Sequence, residues 1–215
     1  MEPIAILVPM LGRPHRVVPL LDSIRATTPH ARVLFVVSPG DADVHAQIDA
    51  AGEERMTVDY QPAGDYARKV NTGYRHTVEP LLFLAADDLK FHPCWYEQAT
   101  SRLDHGIGVV GTNDLGSPRV MAGEHSTHSL VTRDYADKYG TIDGPGQILF
   151  EGYVHEFVDD ELVGTAKHRR AFSFAFFSHV EHLHGNWGKE IPAPDGRPDV
   201  LYPQQQARMR QSAPL

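Results

Sequence analysis

A chain of 215 residues with 41% hydrophobic content is long enough for one sizeable core or two small ones, and its formal net charge of −8 argues against a broad electrostatic grip on nucleic acid. No apolar run approaches the roughly 20 residues that cross a bilayer, and Met1–Gly12 lacks the basic region and long apolar stretch of a secretory leader. Cys94 is the single cysteine, so no intrachain disulfide can form; a reduced, cytoplasmic setting is the simplest reading, with the thiol packed beside Trp95.

Ile4–Val8 is a continuous apolar run ended by Pro9, which predicts a first buried strand. Val17, Leu20, Leu21 and Ile24 follow with helical spacing, and Pro19 fits only if the helix starts near Val17. Val33–Val37 predicts a second buried strand, turned by Ser38-Pro39-Gly40-Asp41. Val44, Ile48 and Ala51 mark a second helix closed by Gly52. Thr57–Tyr60 reads as a short third strand, and a helix resumes after Gly64 with Ala67, Val70 and Tyr74 on one face. Gly73 weakens that helix by roughly 1 kcal/mol relative to alanine, so it predicts close packing or ligand approach. Leu81–Ala85 is a fourth buried strand, left by Asp87-Asp88 and stopped by His92-Pro93; a helix with Tyr96, Ala99 and Leu103 follows.

This alternation of strand and helix up to Gly106 predicts an α/β fold: a mostly parallel central sheet with helices on both faces. Ligands in such sheets sit at the carboxyl ends of the strands, where Pro9–Arg13, Ser38–Asp41 and Asp87-Asp88 all fall. The second half is smaller and less regular. Strands are expected at 107–111, 119–122, 129–132 and 171–180, with helices at 133–139 and 156–168. Three glycines and a proline make 140–147 a flexible loop, and 190–215 reads as a polar Pro/Gln-rich tail.

Three groups could carry chemistry. Asp87 and Asp88 repel each other, so they favour a site where a divalent cation or a sugar hydroxyl neutralises them; a solvated acidic turn is the competing reading. Asp159, Asp160 and Glu161 open a helix, where its dipole stabilises them structurally, or present one carboxylate as a general base. His182 and His184 share one face of a strand and either could join an aspartate on Mn²⁺ or Mg²⁺. The chain has no glycine-rich dinucleotide fingerprint, no phosphate-binding Gly-Lys-Ser/Thr loop and no serine-nucleophile elbow.

Taken in order, these pieces resemble the GT-A glycosyltransferases, in particular family 2. Ile4–Pro14 resembles the opening strand and its V-P-x-x-x-R-P loop. Asp65–Gly73 is similar to the A-x-x-x-N-x-G segment, Leu82–Trp95 to the strand bearing the acidic metal motif, Val158–Leu162 to the catalytic-base motif, and Val180–Gly185 to the late metal histidine. The resemblance implies a GT-A, Rossmann-like catalytic domain over 1–189, with a nucleotide-binding half at 1–106 and an irregular acceptor half at 107–189. It implies inverting transfer of a sugar from a UDP or GDP donor to a hydroxyl acceptor with Mn²⁺ or Mg²⁺. Asp88 with His184 or His182 would hold the metal. Asp160, or else Asp159, would be the base, and Pro9, Arg13, Asp65, Lys69, Asn71 and Asp87 would contact the donor. The chain departs from the pattern in reading Ala-Asp-Asp, in Ser38–Asp41, and in Asp65, whose carboxylate could accept hydrogen bonds from guanine; uridine stays equally open. The alternatives are a nucleotidyltransferase on the same sheet and a non-catalytic module that binds nucleotide sugars or glycans.

Overall fold

The computed structural model describes residues 1–59, 65–104, 106–153 and 157–185; the expected tail at 190–215 lies outside them. The strands are β1 (Ile4–Pro9), β2 (Arg32–Val37), β3 (Glu54–Thr57), β4 (Leu81–Leu84), β5 (Leu89–Phe91), β6 (Val109–Asn113), β7 (Ser129–Thr132) and β8 (Phe172–His182). The helices are α1 (Val17–Thr27), α2 (Ala42–Ala51), α3 (Tyr66–His76), α4 (Trp95–Thr100), α5 (Pro118–Met121), α6 (Arg133–Lys138) and α7 (Val158–His168), with a 3-10 turn at Pro14–Arg16.

One eight-stranded sheet runs β3-β2-β1-β4-β7-β6-β8-β5. β1 to β4 are mutually parallel, β7 runs against both β4 and β6, β8 is parallel to β6, and β5 is antiparallel to β8. The strand period of two divides each buried run between two cores. Ile4, Ile6 and Val8 of β1 join Phe35 and Phe83 in a core covered by α1, α2 and α4. Ala5 and Leu7 join Leu34, Leu82 and Leu84 in a second core under α3, α6 and α7. A Cβ at Gly73 would meet Leu7 Cδ2 at 2.9 Å, so this glycine lets α3 lie close on β1.

The sheet is curled. In a flat sheet four strand spacings of about 4.8 Å would separate β4 from β5 by about 19 Å. Instead the rings of Phe83 in β4 and Phe91 in β5 meet at 5.4 Å, with Trp95 at 4.9 Å from each. The four residues 85–88 connecting these strands therefore bridge a sheet rolled back on itself.

Several local expectations are corrected. The third strand is Glu54–Thr57, not Thr57–Tyr60: it is an edge strand, exposed or half-exposed throughout, with no alternation to betray its bounds. Residues 119–122 lie on the short helix α5 and its cap, not on a strand, because Pro118 at its start presets a helical φ. β5 follows Asp88 at once with a buried-exposed-buried pattern too short to read. Cys94 does not pack beside Trp95; it is exposed, in a left-handed conformation (φ 64°) that turns the chain into α4. The loop expected at 140–147 is tied at its start, where Arg169 donates to the Gly140 and Thr141 carbonyls at 2.9 and 2.7 Å.

Candidate active site

Topology delivers many chain ends to one edge of the sheet. The carboxyl ends of parallel β1, β2 and β4 converge there. Because β7 is antiparallel to β4, its amino end and the loop before it reach the same edge. Because β8 is parallel to β6, which is itself antiparallel to β7, its carboxyl end arrives there too.

The acidic pair sits at the centre of this edge. Asp87 and Asp88 are 2% and 3% exposed. Arg13, on the loop after β1, spans both: Nη2 lies 2.5 Å from Asp87 Oδ1 and Nη1 donates to Asp88 Oδ2 at 3.2 Å. Arg16 donates to the Asp87 carbonyl at 3.2 Å. His182 Nε2 stands 3.3 Å from Asp88 Oδ1, a charge contact without the alignment of a hydrogen bond. The backbone of the late strand is tied to the pair as well, since Leu183 N–H donates to the Asp88 carbonyl and His182 N–H to that of Asp114. His184 lies beside His182, ring centroids 5.2 Å apart. His182, one of the two expected histidines, contacts Asp88.

Burial pushes the Asp87 carboxyl up to about 7, helped by Asp88 and opposed by Arg13 and Arg16. Burial works the same way on Asp88, but His182, Arg13 and His128 outweigh it and hold that carboxyl well below the usual range. The two acids thus divide the work: Asp88 stays ionised and Asp87 is the readier to carry a proton.

His128 is a partner that sequence reasoning missed. It is buried, its Nδ1 donates to the Leu84 carbonyl at 3.0 Å, and its ring lies 5.0 Å from that of His182. Burial, reinforced by His182, lowers its pKa to about 4, so it is neutral at pH 7.

A second acidic cluster opens α7. Asp159 Oδ2 lies 3.0 Å from His125 Nε2, Asp160 Oδ1 accepts from Arg119 Nη2 at 2.9 Å, and His125 Nδ1 is 3.8 Å from Asp160 Oδ1. Burial would raise Asp159, but His125 holds it below its ordinary value. His125, Asp159 and Asp160 together present three ligand atoms within 4.8 Å of one another. The acidic pair and this cluster are neighbours. Asp88 and Asp159 both act on the His128 imidazole and on the Tyr66 hydroxyl, whose pKa is raised first by burial and then by these two charges. Tyr66 itself donates to the Ala85 carbonyl at 3.2 Å.

The remaining expected residues lie deeper. Pro9 is buried at the end of β1. Lys69 is 1% exposed, donates to the Met10 carbonyl at 2.6 Å and pairs with Asp65 at 3.4 Å; burial lowers its pKa against the pull of Asp65. Asp65 Oδ2 is buried with no hydrogen-bond partner among the described residues. Asn71 is fully engaged away from the edge: its amide donates to the Leu149 carbonyl and Glu151, and its oxygen accepts from the Ile148 and Leu149 N–H groups. Its observed work is to fasten residues 148–151 to α3. The one available signal for His125 and His128 was two histidines three apart in a short polar loop; for Arg119 there was none. A cavity of about 400 Å³ lies at the opposite edge, beside Leu81 and Thr132, and shares no residue with either acidic cluster.

The donor set fits a hard divalent cation. Asp87 Oδ2 and Asp88 Oδ1 are buried carboxylate oxygens without a hydrogen-bond donor among the described residues, and the His182 imidazole stands beside Asp88 Oδ1. No helix among the described residues is long and apolar enough to cross a membrane.

No family model and no curated relative matches the chain. Solved structures do. Glucosyl-3-phosphoglycerate synthase from Mycobacterium tuberculosis, in complex with Mn²⁺, UDP and glucosyl-3-phosphoglycerate, aligns with a TM-score of 0.60 at 13% identity, over 98% of this chain and 77% of that one. The same enzyme with Mn²⁺, UDP-glucose and phosphoglyceric acid gives 0.61 at 12% identity, over 98% and 79%. The mannosyltransferase PcManGT from Pyrobaculum calidifontis, in complex with GDP-Man and Mn²⁺, gives 0.61 at 15% identity, over 83% of this chain and 56% of that one. The fold is GT-A.

Proposed function

We propose that this GT-A chain is a metal-dependent glycosyltransferase that moves a sugar from a nucleoside-diphosphate donor to a hydroxyl acceptor. The observation that carries the reading is the adjacent buried pair Asp87-Asp88 at the end of β4, each with an oxygen lacking a donor and with His182 alongside. Its similarity to synthases bound to UDP or UDP-glucose and to a GDP-Man enzyme, all with Mn²⁺, supports a nucleotide-sugar donor of either base.

Asp88 and His182 would hold Mn²⁺ or Mg²⁺, with Asp87 beside them. When bound, the cation neutralises charge that develops on the departing diphosphate. Lys69 braces the loop after β1 through the Met10 carbonyl, and in this reading Arg13 would contact the donor phosphates and Asp65 the base. On the acceptor side we assign the proton to Asp159 ahead of Asp160. Asp159 acts on the same Tyr66 and His128 that feel Asp88, while Asp160 is held by Arg119. The acceptor oxygen forms its bond to the anomeric carbon as the bond to the diphosphate breaks. Its proton passes to Asp159, and attack from the face opposite the diphosphate inverts that carbon.

The test is a thermal-shift and calorimetric screen of UDP, GDP, UDP-glucose and GDP-mannose, with and without Mn²⁺, followed by donor-hydrolysis assays on the wild type and Asp88→Asn. Metal-dependent donor binding and hydrolysis, both lost in Asp88→Asn, are expected. Wild-type turnover in that variant would overturn the assignment. Binding without turnover under any metal would make the chain a nucleotide-sugar-binding module instead.

A further inference from the structure

Arg13 stands where a cation would. Its guanidinium reaches Asp87 and Asp88 together, yet the arrangement leaves three buried atoms without a hydrogen-bond partner among the described residues: Asp87 Oδ2, Asp88 Oδ1 and Arg13 Nε. The first two are acceptors that need positive charge or a donor. The third is a donor that needs an acceptor. Buried polar atoms without partners are uncommon and costly in folded proteins, each by about 1–3 kcal/mol. One cation and one anion arriving together would satisfy all three.

The backbone under Arg13 is fixed and its side chain is not enclosed. Gly12, at φ 67°, donates its N–H to Asp41 Oδ2 at 2.6 Å, and Arg16 N–H donates to the Arg13 carbonyl at 3.0 Å. The Arg13 side chain keeps 19% exposure, an opening towards solvent. Arg16 is different, because it grips the Asp87 main-chain carbonyl and has no carboxylate to release.

We propose that Arg13 is an exchangeable counter-ion. It neutralises Asp87 and Asp88 until a divalent cation takes its place, and the released guanidinium then binds the phosphate oxygens of the nucleotide. This rests on the metal and diphosphate site proposed above and adds a binding order to it. Metal alone must displace Arg13 and binds weakly. Nucleotide offers the displaced arginine a new bidentate partner, so metal and nucleotide strengthen each other, and linkage makes that coupling reciprocal.

Titration calorimetry of MnCl₂ into the full chain, with and without UDP or GDP, tests the exchange in Arg13→Gln, Arg13→Lys and Asp88→Asn. Arg13→Gln is expected to bind Mn²⁺ alone about tenfold more tightly than wild type, and its gain on adding nucleotide to shrink from about tenfold or more to about twofold. Arg13→Lys, which keeps a charge but loses the fork that spans two carboxylates, should fall between. It also serves if the glutamine variant does not fold. Equal or weaker Mn²⁺ binding in the folded arginine variants, with Asp88→Asn losing it, overturns the exchange and leaves the functional reading standing. Absence of Mn²⁺ binding from the wild type, with either nucleotide present, overturns both.

Discussion

The carboxylates after β4 and those opening α7 carry the same charge in different surroundings. Asp87 and Asp88 are sealed into the sheet edge, 2% and 3% exposed, and retain oxygens with no hydrogen-bond donor among the described residues. Asp159 and Asp160 reach solvent, rest on the favourable end of a helix dipole, and have positive or hydrogen-bonding partners in His125 and Arg119. The first pair keeps buried oxygens unserved by a hydrogen-bond donor among the described residues; the second has donors beside both carboxylates. A buried, underserved carboxylate suits cation binding, whereas a half-exposed one that an imidazole orients suits proton transfer to an arriving hydroxyl.

Mutations that treat the two clusters alike should not have like effects. Asp88→Asn is expected to lower kcat/KM for transfer by about a thousandfold or more, equivalent to several kcal/mol of lost charge stabilisation, and to abolish Mn²⁺ binding. Asp159→Asn should lower kcat by about 10²–10⁴-fold while Mn²⁺ and nucleotide affinities hold, as steady-state kinetics with parallel calorimetry will report. Asp160→Asn should cost about tenfold or less; a larger loss than in Asp159→Asn would exchange their roles.

Stability measurements separate the regions further. Asn71 links α3 to residues 148–151, so Asn71→Ala should lower unfolding stability by about 3 kcal/mol in urea titrations through backbone groups left unpaired. His128 and Asp87 set opposing pH responses. His128, with its pKa lowered from 6.5 to about 4, takes up fewer protons folded than unfolded, so its contribution to stability is full above pH 6.5 and is lost as pH falls towards 4. Asp87, raised from 3.8 to about 7, does the reverse: folding binds an extra proton between those values, so stability declines as pH rises through them. Asp87→Asn should therefore unmask a loss on the order of 3 kcal/mol on acidification to pH 4. His128→Asn, whose amide can still donate to the Leu84 carbonyl, should unmask the opposite slope. As a control outside both clusters, Arg55→Ala breaks a solvent-screened pair with Asp49 and an exposed 3.4 Å hydrogen bond to Thr57 Oγ1, and should leave the denaturation midpoint unchanged within error.

The buried strands were legible because β1, β2 and β4 are apolar on both faces and bounded by proline, serine-proline and paired aspartates. The first helices were legible from their spacing and from Gly52, which caps α2 at φ 71°. Edge strands were not: β3 has no buried face to impose a period, and β5 has three residues. The same division holds in the site. Asp87 and Asp88 are adjacent in sequence and lie at a strand end, so order alone exposes them. His125 reaches Asp159 from 34 residues away and Arg119 reaches Asp160 from 41, through an antiparallel strand that the alternation of the first half gave no reason to expect. Asn71 was expected to contact the donor; in the structure its amide is bound to the chain itself.

The rolled sheet has a kinetic corollary. Residues 85–88 leave β4 at the middle of the sheet and enter β5 at its rim, and β5 has only β8 as its neighbour. The register Leu89↔His182 joins segments more than ninety positions apart, a loop whose closure is entropically slow. During refolding, far-ultraviolet signal from α1 to α3 should therefore recover before Mn²⁺ binding does, the competence to hold a cation arriving only when the last strand docks.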